Sequence, residues 1–261
     1  MKKVALIGIP FDENSSYMRG TALAPPFIRE AFYSDASNSF TESGIDLSKE
    51  GLIHDRGDLM APDFEQIESS VSAALKDDFA PISLGGDHSI TYAIFRAFRH
   101  SYPDIAILHF DAHPDLYHDF QSNPHSHASP FARIMEQGLA SRLVQIGIRT
   151  INAHQWEQAK KFGVEVVQMK DFQPARRFEF QQPVYLSFDV DALDPAFAPG
   201  VAHREAGGLS TREALQIIQS LRGRIVGADI VEFNPKMDAS GITAASCAKL
   251  LKEIASKILE D

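Results

Sequence analysis

Apolar residues in this chain fall into short runs, most of them continuous rather than alternating, separated by stretches where they recur every three or four positions. The runs lie at 4–9, 80–84, 105–110, 143–148, 164–169, 184–188 and 225–231. A strand covered on both faces has no polar side to show, so such runs predict a buried, mostly parallel sheet. Helical periodicity predicts helices over 24–32, 63–75, 89–99, 129–138, 153–162 and 211–221, with a last one from about 243 to 259. Asp63 and Glu65 favour the start of one helix through its dipole, and Ser210 followed by Glu213 has the spacing of a capping box. Strand alternating with helix implies a three-layer α/β/α domain with a mostly parallel central sheet, expected to span 1–261 as one unit. The stretches 33–60, 116–128 and 191–208 follow neither period. Segment 34–44 reads as a surface loop, and the last two stretches directly follow strands, which makes them candidate walls of a site.

Composition narrows the classes. The formal net charge is −10 and no run of Lys or Arg occurs, which argues against nucleic-acid binding. One cysteine, Cys247, excludes an internal disulfide framework and reads as a buried helix residue. Lys2 and Lys3 before an apolar run imitate a signal peptide. The run is short and ends in Pro10-Phe11-Asp12, so a first strand explains it better. No segment approaches the ~20 apolar residues of a membrane span. A cytoplasmic enzyme is the expectation.

Three polar clusters follow predicted strands: Gly85-Gly86-Asp87-His88-Ser89, Asp111-Ala112-His113-Pro114-Asp115, and Asp189-Val190-Asp191-Ala192-Leu193-Asp194-Pro195. Charged groups at the carboxyl ends of buried strands are costly unless a partner compensates them, and in an open α/β sheet those ends form one crevice. Asp111, His113 and Asp115 alternate, so in extended chain all three side chains point to one side. Asp189 and Asp191 repeat the spacing. One isolated Asp-x-Asp is more often a cap or turn; three clusters after three strands favour a metal site. Carboxylates and imidazoles without thiolate suit manganese or a similar divalent ion, and six such side chains can hold a pair ~3.5–4 Å apart. His109 reads as packing beside the site, His118 and His125 as loop surface.

These clusters resemble the signature of the ureohydrolases, the arginase and agmatinase family of binuclear manganese enzymes. The resemblance runs from Gly20-Thr21-Ala22-Leu23-Ala24-Pro25 and Asp55-Arg56-Gly57-Asp58 through the metal clusters to Asp229-Ile230-Val231-Glu232-Phe233-Asn234-Pro235. Ser126-His127-Ala128-Ser129 and Ala198-Pro199-Gly200-Val201-Ala202-His203 are most similar to the plant-type arginases. The resemblance implies an arginase-like fold and two Mn2+ per subunit. It implies His88, Asp111, Asp115 and Asp189 around one ion and Asp111, His113, Asp189 and Asp191 around the other. It further implies His127 as the proton-handling residue and Glu232 as the carboxylate that receives a substrate guanidinium. Asn123, Asn152 and His203 match positions lining the substrate pocket, and assembly as a homo-oligomer, trimer or hexamer, follows by analogy.

A guanidinium is charged and resonance-stabilised, so its hydrolysis needs hydroxide, a means of holding the cation, and protonation of an amine leaving group. Asp115 and His127 are the candidates for moving protons, and Glu232 for two hydrogen bonds to the guanidinium. Arginine, giving ornithine and urea, is the leading substrate, although Asn152 is neutral where many arginases carry an acid. Agmatine or another guanidino compound is the nearest alternative, then formiminoglutamate, then an amide hydrolase of related fold or a non-catalytic binding module.

Overall fold

The computed structural model describes residues 3–260; Met1 and Lys2, at the start of the signal-like segment, and Asp261 lie outside the described residues. Eight strands form one sheet: β1 (Lys3–Gly8), β2 (Ile53–Asp58), β3 (Phe79–Leu84), β4 (Ala106–Phe110), β5 (Arg142–Ile148), β6 (Glu165–Gln168), β7 (Val184–Asp189) and β8 (Ile225–Val231). Their order is β2-β1-β3-β8-β7-β4-β5-β6, and every neighbouring pair is parallel. The α-helices among the described residues are α1 (Ala24–Phe32), α2 (Phe64–Lys76), α3 (Ile90–Phe98), α4 (Pro130–Glu136), α5 (Ala153–Phe162), α6 (Thr211–Ser220) and α7 (Ile242–Glu260).

Alternate residues of each strand enter opposite faces, so the apolar runs feed two cores. Val4 and Leu6 pack with residues of α1, α6 and α7. Ala5 and Ile7 pack with residues of α2, α3, α4 and α5. The result is the three-layer α/β/α arrangement. Asp63 caps α2 by accepting from the Gln66 amide at 2.8 Å, and Ser210 and Glu213 form a reciprocal capping box at the start of α6. Cys247 is buried within α7, and burial pushes its thiol pKa upward.

One strand escapes the hydrophobic pattern. β2 reads Ile-His-Asp-Arg-Gly-Asp and lies at the sheet edge, mostly exposed. It therefore needs no apolar run, and the irregular stretch 33–60 contains it.

The central order places the carboxyl ends of β3, β8, β7 and β4 side by side. Glycines let the connecting turns close in on one another. A Cβ at Gly86 would fall 1.7 Å from the Phe11 carbonyl oxygen, and one at Gly147 would fall 2.7 Å from that of Asp111. Gly147 also has φ +98° at the point where β5 shifts register against β6, a conformation glycine adopts without strain. Gly147→Ala should destabilise the metal-free protein by about 1–3 kcal/mol, read as a lower urea midpoint; an unchanged midpoint would refute this account of the turn.

Candidate metal centre and active site

The three clusters converge. Nδ1 of His88, in the turn after β3, lies 3.3 Å from Asp111 Oδ2, 3.0 Å from Asp115 Oδ2 and 3.2 Å from Asp189 Oδ2. Nδ1 of His113 lies 3.3 Å from Asp111 Oδ1 and 3.1 Å from Asp191 Oδ2. Potential ligand atoms of His88, Asp111, Asp115 and Asp189 lie within 4.8 Å of one another, as do those of Asp111, His113 and Asp191. Asp111 belongs to both groups through its two oxygens. Asp189 lies within this distance of the first group, and its Oδ1 accepts from the Asp191 amide at 2.8 Å, which links it to the second.

Hydrogen bonds assign the protons on two imidazoles. Ser187 Oγ has one hydrogen and donates it to Asp229 Oδ1 at 2.7 Å. It must then accept from His88 Nε2 at 3.0 Å, which leaves His88 Nδ1 as a bare lone pair in the neutral ring. That buried atom has no hydrogen-bond partner and faces three carboxylate oxygens. Likewise Gln145 Nε2 donates to His109 Nδ1 at 3.0 Å, so His109 donates from Nε2 to Asp111 Oδ2 at 2.9 Å. Burial holds the His109 pKa below its ordinary value. His109 thus orients Asp111 and stays neutral.

Burial pushes the carboxyl of Asp189 well above the usual range, reinforced by Asp191 and Asp111. Asp191 is raised to about 6, mainly by burial. His88 goes the other way: burial disfavours its charge, yet Asp111, Asp115 and Asp189 raise its pKa well above the ordinary value. Four acids around two imidazoles carry more negative charge than a dry crevice tolerates. A lone pair and several oxygens aimed at one point fit a divalent cation, and the oxygen and nitrogen donors without sulfur fit manganese-like ions.

Beside the cluster, Glu232 follows β8 with φ +64°, and Asp115 has φ +49°. Left-handed backbone is uncommon for such residues, and here it occurs at the chemical centre. Glu232 Oε1 accepts from the His88 amide and from His127 Nδ1, each at 2.9 Å. Burial raises the Glu232 pKa, but the His127 charge and hydrogen bond outweigh it. The other ring nitrogen of His127 lies 2.8 Å from Ser16 Oγ. Burial lowers the His127 pKa, and Glu232 more than offsets that, raising it to about 9. Asp87 is raised to about 7 by burial and by Glu232. It accepts from the Asn14 amide at 2.9 Å and so ties the N-terminal loop to the site.

A cleft of about 150 Å3 opens over the cluster. Beyond the ligands, its wall includes Ser16, Tyr117, Phe120, Thr150, Gln155 and His203. His203 stands with ring centroids 5.4 Å from His127 and 5.9 Å from His113. Asn123 and Asn152 do not line this cleft. Asn123 donates to Asn14 Oδ1 and accepts from the His125 amide. Asn152 caps α5 in a capping box with Gln155 and donates to Tyr117 at 2.7 Å. Both side-chain amides are thus engaged in loop and cap hydrogen bonds at the margin of the cleft. His118 and His125 are exposed, as expected. Ser16 and Gln155 were not read from the sequence. Ser16 lies on no element and in no motif, whereas the Asn152-to-Gln155 capping spacing was a usable signal.

Comparison with known proteins decides the lineage: the sequence pattern of the arginase family matches residues 2–256. The chain belongs to the arginase family. It is 46% identical to a Medicago truncatula protein named "Arginase, mitochondrial", covering 97% of this chain and 81% of that one. A solved arginase structure from the same plant superposes with a TM-score of 0.92 at 45% identity, covering 98% of this chain and 87% of that one. A Bacillus cereus agmatinase is 32% identical over 97% of this chain and 90% of its own. These relatives correct the cytoplasmic expectation. The Medicago arginase is named mitochondrial, and an Arabidopsis thaliana arginase, 45% identical over 97% of this chain and 80% of that one, is named chloroplastic/mitochondrial.

The His127–Glu232 pair yields a pH signature. A histidine raised to about 9 from 6.5 adds stability that is complete below pH ~6.5 and lost as pH rises through about 9, on the order of 3 kcal/mol for the metal-free protein. NMR titration of that imidazole should show a midpoint near 9, falling toward the ordinary value in Glu232→Gln. An ordinary midpoint in the unsubstituted chain would mean the pair does not form.

Proposed function

We propose that this arginase-family chain, as one domain over 1–261, hydrolyses arginine to ornithine and urea with two Mn2+ per subunit. The observation that carries the reading is the buried His88 Nδ1, without a hydrogen-bond partner, facing three carboxylates at 3.0–3.3 Å, with Glu232 beside it. His88, Asp111, Asp115 and Asp189 would hold one ion, and Asp111, His113 and Asp191 the other, with Asp189 near both. Two divalent cations bound there would lower the pKa of water from 15.7 toward about 7 and so would supply hydroxide at neutral pH.

The protein's own groups do the rest. Glu232 Oε2 accepts no hydrogen bond among the described residues, while Oε1 is held by the His88 amide and His127. A guanidinium fork can take Oε2 directly and share Oε1, which fixes its carbon over the cluster. Asp115 accepts the proton of the attacking water and returns it to the leaving nitrogen. His127 then exchanges protons with solvent along Ser16 Oγ. The far wall, Ser16, Tyr117, Phe120, Thr150, Gln155 and His203, carries no lysine, arginine or carboxylate. Neutral donors and acceptors suit the zwitterionic head of arginine, and the plant arginases at 45–46% identity support the same choice. Agmatine is the second reading, since no cationic side chain in that wall holds a carboxylate. Assembly as a homo-oligomer, trimer or hexamer, is proposed from family analogy.

The test is a panel of arginine, agmatine, other guanidino compounds and formiminoglutamate after manganese loading, with urea and formamide detected. Arginine should give the highest kcat/KM with urea released; no urea from any guanidino compound would reject the reading. His127→Asn should lower kcat about 100-fold or more with manganese content unchanged, and a loss of metal would place His127 among the ligands instead.

A further inference from the structure

The segment after β5 points its arginine away from the substrate cleft. Arg149 is half-buried, and among the described residues no carboxylate lies within ion-pair distance of its guanidinium. Instead it donates to five backbone carbonyls. Nη2 reaches Asp191 O at 2.6 Å, Glu205 O at 2.7 Å and Leu193 O at 3.4 Å. Nη1 reaches Gly147 O at 3.0 Å and Ala192 O at 3.4 Å, and Nε reaches Glu205 O at 3.1 Å. The whole donor fork is thus spent on the turn that carries Asp191 and on the neighbouring strand of loop after His203.

The main chain of the same residue holds the opposite side. The amides of Arg149 and Thr150 donate to Ala112 O at 3.0 and 3.2 Å, and Ala112 stands between Asp111 and His113. Ala112 N in turn donates to Asp191 Oδ1 at 3.1 Å. One residue therefore grips both halves of the Asp111, His113 and Asp191 group and touches nothing of the turn carrying His88. Glycine makes the grip possible: a Cβ at Gly208 would fall 2.7 Å from Arg149 Nη2 and 2.6 Å from the Asp194 amide.

The geometry points to Arg149 as the positioning residue for one of the two ion positions, the one built on His113 and Asp191. This rests on the binuclear reading of the cluster. A planar guanidinium with five donors in a fixed fork can span these carbonyls, and a lysine ammonium, with three donors on one atom, cannot. Groups that orient metal ligands typically control affinity by about 10- to 100-fold. Because the grip is one-sided, its loss should separate the two ions rather than weaken both.

The test is Mn2+ binding to the full chain by equilibrium dialysis, with electron paramagnetic resonance to distinguish a coupled pair from a lone ion. The unsubstituted chain should bind two ions as a coupled pair. Arg149→Lys and Gly208→Ala should each keep one ion at unchanged affinity and bind the second about 10- to 100-fold more weakly, with the lone-ion spectrum appearing at limiting metal and the far-ultraviolet circular dichroism preserved. If the unsubstituted chain binds fewer than two ions, the binuclear reading fails and takes this assignment with it. If that chain binds two and the variants bind both with unchanged affinity, or lose both equally, only the assignment of Arg149 falls. If both variants lose the native dichroism, Arg149 is a general folding determinant and the assignment is likewise overturned.

Discussion

Four buried carboxylates face one another across the carboxyl ends of adjacent strands, and the fold has to hold them there against their repulsion. An ionised carboxylate in a dry crevice costs several kcal/mol unless compensated, and Asp111, Asp115, Asp189 and Asp191 have only the imidazoles of His88, His109 and His113 close by. The parallel order β3-β8-β7-β4 forces this meeting, since every strand of that set ends on the same edge. Two hydrophobic cores, one on each face of the sheet, give the scaffold rigidity enough to keep like charges close. A divalent cation is the group that turns this repulsion into attraction.

Proton placement around the cluster is imposed from deeper layers. Asp229 accepts from Thr91 Oγ1, Tyr185 OH and Ser187 Oγ at 2.8, 3.0 and 2.7 Å. Burial and the neighbouring Asp229 raise the Tyr185 pKa well above its ordinary value, so its hydroxyl remains a donor. With Ser187 committed to Asp229, His88 has one tautomer available and its Nδ1 stays open to the crevice. Gln145 does the same for His109 by donating to its Nδ1. A hydrogen bond fixed far from the crevice thereby decides which atom can bind metal.

Much of this was legible in the chain because the physics is local. Strands buried on both faces are mostly apolar, and seven of the eight strands lie in mostly apolar runs, the edge strand β6 included although Glu165 interrupts its run. β2 does not, because an edge strand exposed on its outer side can carry His54, Asp55, Arg56 and Asp58 without burying them. The alternation of Asp111, His113 and Asp115 revealed a ligand face, since extended chain repeats every two residues. Roles of single amides were not legible. The capping role of Asn152 shows only in the partners of its Oδ1 and Nδ2. Ser16 and Arg149 act through contacts with residues more than forty positions away, for example Ser16 with His127 and Arg149 with Asp191, which no local period encodes.

Strain and charge are concentrated in the turns. Asp115 and Glu232 adopt left-handed backbone at φ +49° and +64°, Glu232 directly after β8 and Asp115 in the turn that follows β4. Such a conformation persists only where surroundings over-determine it. For Glu232 those surroundings include the hydrogen bond from its amide to Gly86 O at 3.0 Å and the two donors on its Oε1. The carboxylate is consequently aimed before any ligand arrives, and a planar cation entering the cleft meets a partner that need not reorganise. Preorganisation of this kind lowers the cost of binding in proportion to the freedom already removed. The pairing with His127 serves the same end: the imidazole stabilises the ionised Glu232 carboxylate and holds it in place.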